Sequence, residues 1–182
     1  KFDGTNFFVL PEIWSMFNGI AGIRNVPAQW AKIVNVSQFT KDIADHKLPA
    51  VTWLVDQDLA DEHPAVGGIC AGENWTVGYI NQLMGSEYWK DTAIFVLEDD
   101  AQDGEDHVDA HRSIGFVISS HLSGGTVDHR FYNTDSVLHT MEVLLGLPPM
   151  NQYDATAPLF SGFSPTPVNA SPYTAILPAK EV

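Results

Sequence analysis

Residues 92–112 read TAIFVLEDDAQDGEDHVDAHR, and the chain is organised around them. The stretch opens as a short apolar run, Ala93-Ile94-Phe95-Val96-Leu97. It then turns into seven acids: Glu98, Asp99, Asp100, Asp103, Glu105, Asp106 and Asp109. His107 and His111 lie among them. A strand that ends in adjacent carboxylates is a common way to build a cation site, and in open α/β sheets ligands sit beyond the carboxyl ends of strands. Carboxylate and imidazole together suit Zn, Mn, Fe or another divalent ion. The competing reading is a solvated acidic loop, the usual meaning of a charge run. With no polar spacer after Leu97, Glu98 to Asp100 are expected near the core edge, where uncompensated carboxylates are costly. Two familiar motifs fail on spacing. An EF-hand loop begun at Asp99 would need oxygen ligands where Ala101 and Ala110 stand. A zincin helix needs H-E-x-x-H, and residues 107–111 read His-Val-Asp-Ala-His.

Outward from this stretch, the pattern predicts alternating strands and helices. Residues 1–36 carry no clean period and are interrupted by Pro11, Gly19, Gly22 and Pro27, which predicts irregular structure with short helices. Ser37 to His46 reads as a helix with Phe39 and Ile43 on one face. Ala50 to Val55 reads as a strand that runs into an acidic loop containing His63. Residues 73–90 read as a helix with Val77, Ile80, Leu83 and Met84 as its stripe. Strands follow at 92–98 and 114–119, then a turn at 123–125. A helix is predicted over 134–145, with Val137, Met141, Leu144 and Leu145 inward and Gly146 as its stop. The order predicts an α/β fold, a mostly parallel sheet flanked by helices. Residues 1–160 are expected to form the domain, and the Pro- and Ser-rich residues 161–182 an extended tail.

Composition narrows the partners. Nine basic against 23 acidic residues give a net charge of −14. That argues against nucleic acid and anionic membrane surfaces, which attract clustered Lys and Arg. A single cysteine, Cys70, permits neither an intrachain disulfide nor a Cys-rich zinc site, and reads as a small buried hydrophobe. No apolar run approaches transmembrane length. The Phe7-to-Leu10 run is too short for a signal peptide and is closed by Pro11. An opening Lys1-Phe2-Asp3 is expected of a fragment or processed piece. Trp75 and Trp89 read as core residues. His46, His121 and His139 lack supporting context, and His139 is expected on the exposed face of its helix.

Three pieces taken together carry a resemblance: LPAVTWLV…DEHP at 48–64, WKDTAIFVLEDD…DHV at 89–108, and G-x-V-D-H-x-x-Y…S-V-L…M-E-x-L-L-G-L-P-P at 125–149. Their order and spacing resemble the phosphoesterase family of acid phosphatases and non-specific phospholipases C, within the alkaline-phosphatase-like superfamily. The wording EDDAQDGEDHVDAHRS is similar to bacterial members whose phosphoesterase domain follows a β-propeller. The resemblance implies a metal-dependent hydrolase of phosphoesters, lipid head groups included, acting in the periplasm or secreted. It implies metal ligation by the pair Asp99 and Asp100, by His63 of the E-H-P motif and by His107 of D-H-V. His111 and His129 are its candidates for substrate contact. The metal is left open among Zn, Mn, Fe and Ca. One departure stands out: the family's Glu-Asn ligand pair and its Ser or Thr nucleophile have no match upstream of residue 45. Gly162-Phe163-Ser164 runs into Pro165, so it is no nucleophile elbow either. The chain thus resembles the C-terminal half of such a domain, with no nucleophile identified and the N-terminal part as its expected partner. Two alternatives remain beside it: a metal-binding or structural module without catalysis, and a calcium-stabilised surface protein.

Overall fold

A computed structural model describes residues 5–8 (backbone), 16–56, 60–63, 67–99 and 113–176 of the chain. It divides into two compact units, one formed by residues 1–87 with 173–182, the other by residues 88–172.

The first unit holds a three-stranded sheet in the order β2-β1-β3. β1 (Thr5–Phe8) is central and pairs in parallel with β2 (Ile33–Val34) and β3 (Val51–Leu54). Its register sets Phe7 against Ile33 and Trp53, and Phe8 against Val34 and Leu54. Between β1 and β2 the chain makes a 3-10 turn, Met16–Gly19, and two single-turn helices, α1 (Ala21–Arg24) and α2 (Pro27–Trp30). Pro27 opens α2, where its missing N–H costs nothing. The short helices were expected in this region; the two strands were not. Runs of two and four residues carry no period that could distinguish strand from helix.

Phe17 and Ile33 are buried together, with Ile23 and Val55 packed on them. α3 (Ser37–Ala44) follows, its first N–H accepted by the Asn35 side chain at 2.9 Å. Phe39 is buried and meets Tyr79 edge to face at 5.5 Å. Tyr79 belongs to α4 (Ile69–Met84), which begins earlier than its stripe suggests and stops at Gly85. Ile80, Leu83 and Met84 are buried on it, at the spacing of one helical face. Val77, Trp75 and Cys70 are only half-buried. Thr40 donates to the Gln82 side chain at 2.6 Å, joining α3 to α4.

The second unit begins with a 3-10 turn, Trp89–Asp91, whose Trp89 is buried. β4 (Ala93–Leu97) and β5 (Gly115–Ser119) then pair antiparallel, Ala93 facing Ser119 and Leu97 facing Gly115. This corrects the expectation of a parallel arrangement here. An apolar run marks a strand but not the direction in which it pairs, so the sequence left this point open. Ser119 and Ser120 donate their hydroxyls to the Thr92 and Lys90 carbonyls at 2.7 and 2.9 Å, fastening the strand end to the opening turn.

α5 (Thr134–Leu145) starts in a capping box. Asn133 Oδ1 accepts the Ser136 N–H at 2.9 Å, and Ser136 Oγ accepts the Asn133 N–H. It ends at Gly146 in the left-handed region, φ 67°, with the Leu147 N–H returning to the Glu142 carbonyl at 2.8 Å. Its buried face differs from the expected apolar stripe. Val137 is buried but Leu144 is exposed, and Ser136, Thr140 and Glu142 are buried in its place. Thr140 can sit there because its hydroxyl donates to Ser136 O at 2.7 Å and accepts the Phe160 N–H at 3.0 Å. α6 (Gln152–Thr156) follows with its own capping box, from Asn151 and Asp154.

Beyond α6 the described chain carries no helix or strand, and its residues belong to both units. Phe160 stacks on Tyr132 at 4.1 Å and tilts against Phe95 at 6.0 Å. The N–H groups of Val168 and Asn169 both donate to Ser120 O. From Tyr173 the chain belongs to the first unit, where Ala175 N–H donates to Asn81 Oδ1 at 2.9 Å.

Two stability measurements follow. Asn133→Ala removes the α5 cap and is expected to cost about 1 kcal/mol in chemical denaturation. Gly72→Ala would ordinarily favour a helix. Here a Cβ at Gly72 forces the Glu62 side chain to shift, so the usual helix gain of about 1 kcal/mol is expected to be reduced or lost.

Candidate functional site

Three loops carry the residues of interest. The first leaves the carboxyl end of β3 and enters α4. Asp61 Oδ1 accepts the His63 N–H at 2.9 Å, and the His63 carbonyl accepts the Gly67 N–H at 3.1 Å. Glu62 between them takes a left-handed conformation, φ 59°, unusual for a residue with a side chain. Its side chain lies over Gly72 of α4, where only a glycine leaves room. The loop is therefore held at three consecutive residues, and the His63 side chain is exposed.

The second loop leaves β4. The Glu98 N–H donates to Ile114 O at 3.2 Å and Ser113 Oγ donates to Glu98 O at 2.6 Å, extending the β4–β5 pairing by one step. Glu98 and Asp99 are both exposed. This corrects the expectation that they press against the core. In water they carry no desolvation cost, so burial gives no argument for a compensating cation at these two residues. Asp100, His107 and His111 lie outside the described residues.

The third loop, residues 126–133, contains His129, whose side chain is exposed. Its neighbours form a network that sequence reasoning assigned no role. Asp128 Oδ1 accepts the Arg130 backbone N–H and the Arg130 Nε–H, each at 3.0 Å, and Oδ2 accepts from Arg130 Nη2 and from Tyr132 OH, the latter at 2.8 Å. Arg130 Nη2 also donates to Ser161 Oγ at 2.6 Å, and the guanidinium lies over the Tyr132 ring, 5.4 Å from its centroid. These hydrogen bonds, Arg130's first, hold the Asp128 carboxyl well below the usual carboxylate range. The same pairing raises Arg130, while burial and then Asp128 raise the Tyr132 hydroxyl. Arg130 is already neutralised by Asp128, so the network stiffens the backbone on both sides of His129. The available signal was the alternation Asp128, Arg130, Tyr132. In an extended segment it sends all three side chains to one side.

The histidines without sequence context hold the second unit together or lie at the surface. His121 Nδ1 lies 2.8 Å from Ser164 O and its Nε2 2.9 Å from Lys90 O. His139 is half-buried rather than exposed, its Nδ1 2.8 Å from Ala157 O. His46 meets Glu87 at the surface of the first unit, at 2.6 Å.

His63 belongs to the first unit, Asp99 and His129 to the second. Among the described residues no three His, Cys, Asp or Glu side chains gather closely enough to hold a metal ion. Among the described residues no helix is long and apolar enough to cross a membrane.

A family model described as the phosphoesterase family matches residues 12–148, a span that includes all three loops. An acid phosphatase of Aspergillus niger is 30% identical over 139 residues, covering 71% of this chain and 31% of that protein. A phosphate-repressible acid phosphatase of Penicillium chrysogenum is 27% identical over 146 residues, covering 79% of this chain and 34% of that protein. An acid phosphatase of Aspergillus fumigatus is 26% identical over 128 residues, 69% of this chain and 28% of that protein. The chain spans about a third of the length of these relatives. With three-quarters of its length matched by one family model, the chain belongs to the phosphoesterase family.

Proposed function

We propose that this chain contributes the later metal ligands and the substrate-contacting loops of a metal-dependent phosphoester hydrolase with an alkaline-phosphatase-like sheet. The observation that carries the reading is the continuous family match across residues 12–148, together with relatives named as acid phosphatases. His63 and Asp99 support it, each following the carboxyl end of a strand.

In this reading Asp99, Asp100, His63 and His107 hold a divalent cation: Zn, Mn, Fe or Ca. When bound, the cation neutralises charge on the phosphoryl oxygens and lowers the pKa of an attacking hydroxyl. The chain's own residues then divide the work. The carboxylates supply negative charge to retain the cation, and the imidazoles ligate in their neutral form. His111 and His129 contact the phosphoester, and the Asp128–Arg130–Tyr132 network keeps the backbone around His129 in place. Substrates in this reading are phosphate monoesters or diesters, lipid head groups included. The setting is periplasmic or secreted, as in bacterial members with an upstream β-propeller, and the nucleophile comes from the N-terminal part of the domain, to which no residue in 1–45 can be matched.

Two outcomes are expected. In calorimetric titration of the pure chain with Zn or Mn, Asp99→Ala weakens binding at least about tenfold, the scale reached even by changes beyond the direct ligands. Affinity also falls as pH drops through the histidine range, because imidazole must shed its proton to coordinate. Tight binding of calcium alone, flat across that range, would instead identify a calcium-stabilised module. A longer protein carrying this segment hydrolyses aryl phosphates, and Asp99→Ala there removes turnover; turnover that survives the substitution refutes the assignment.

A further inference from the structure

The second unit contains a pair of buried acids that the phosphoesterase reading does not use. Glu142 lies in the last turn of α5 and is 7% exposed; Asp154 lies in α6 and is 1% exposed. We propose that Glu142 and Asp154 share one proton and form a latch between α5 and α6 that holds in acid and loosens as the medium becomes neutral or alkaline.

Hydrogen-bond donors decide where the proton goes. Asp154 is fully supplied: Oδ1 accepts the N–H groups of Asn151 and Ala155, each at 2.9 Å, and Oδ2 accepts that of Met150 at 2.8 Å. A carboxylate so surrounded stays ionised. Both oxygens of Glu142 are buried without a well-formed hydrogen bond among the described residues, and the Met150 N–H that lies near them is already given to Asp154 Oδ2. Its side-chain partner is the Asp154 carboxyl. Two carboxylates have no hydrogen between them, so this contact is a hydrogen bond only when Glu142 is protonated and donates. A buried, unpartnered carboxylate beside a second negative charge is the costly alternative.

The charged and titratable groups acting on Glu142 are Asp154 from α6 and His139 one turn earlier on α5, and the Met150 N–H lies nearby. Burial, then Asp154, raise Glu142; His139 and the Met150 N–H oppose the rise without cancelling it. Asp154 is lowered, because its three backbone donors outweigh its burial.

The signs follow from linkage. Glu142 binds its proton more tightly when folded. Its contribution is complete below the pKa of an unfolded glutamate and is lost as pH rises through its raised value. Asp154 works in the opposite sense, and its contribution is lost as pH falls through its lowered value. The latch is strongest in the window between the two. Above it, both groups are charged inside one buried contact, and α5 and α6 are driven apart.

The test uses the 182-residue chain. Carbon-detected NMR follows the Glu142 carboxyl through a pH titration, and thermal midpoints are compared for wild type, Glu142→Gln and Asp154→Asn between about pH 4 and pH 8. The expected Glu142 midpoint lies above those of exposed glutamates. Wild type is expected to lose thermal midpoint as pH rises, and Glu142→Gln, whose amide donates to Asp154 at every pH, to lose less and to exceed wild type at the upper end. Asp154→Asn is expected to lose midpoint at both ends. A Glu142 midpoint at or below that of exposed glutamates overturns the proposal, as does an equal loss in wild type and Glu142→Gln. If Glu142→Gln fails to fold, the wild-type titration decides alone.

Discussion

Twenty-three carboxylates share nine basic side chains in this protein, and that shortage shapes how its loops are held. Ion pairs cannot satisfy most of the acids, so the structured ones take backbone N–H groups instead. Asp61 fixes the amide of His63, Asp128 that of Arg130, and Asp154 three amides at the entry to α6. Each bond satisfies a donor that a chain leaving or entering a short element would otherwise leave open. Strands of two to five residues and the short helices beside them bury little apolar surface, so the side-chain-to-backbone bonds carry much of the burden of defining the path there.

The same device explains why candidate groups are presented outward. His63 and His129 are exposed, yet each sits in a backbone secured by its neighbours: Asp61 and the Glu62–Gly72 contact for one, Asp128 and Tyr132 for the other. A side chain that must meet a ligand cannot also be buried in packing, and here the adjacent residues take over the fixing. Function and structure are divided between neighbours in sequence.

That division governs what could be read in advance. β3, β4, β5 and α5 were legible because apolar runs, a helical stripe and a stop Gly are local signals, and they placed His63 and Asp99 after strands. β1 and β2 were not, being too short to show a period. The antiparallel pairing of β5 with β4 had no residue-level signal, because an apolar run marks a strand and not the direction in which it pairs. The buried polar face of α5 escaped because Thr140 is acceptable inside only once Phe160 N–H, 20 residues away, arrives to share its hydroxyl. The Asp128 network was visible only as an alternation whose meaning depends on an extended backbone.

Phe160 has a consequence for how the chain is made. It fills the space between Tyr132 and Phe95, and the segment after it returns its amides to Ser120. Asn81 in turn receives its partner from Ala175. During synthesis, neither unit can acquire its full set of internal bonds until residues 160–175 have left the ribosome. Nascent chains halted before residue 160 would leave the hydroxyl of Thr140 without the amide that makes its burial tolerable. Completion is therefore set by the arrival of an irregular strap, and the regular elements wait for it.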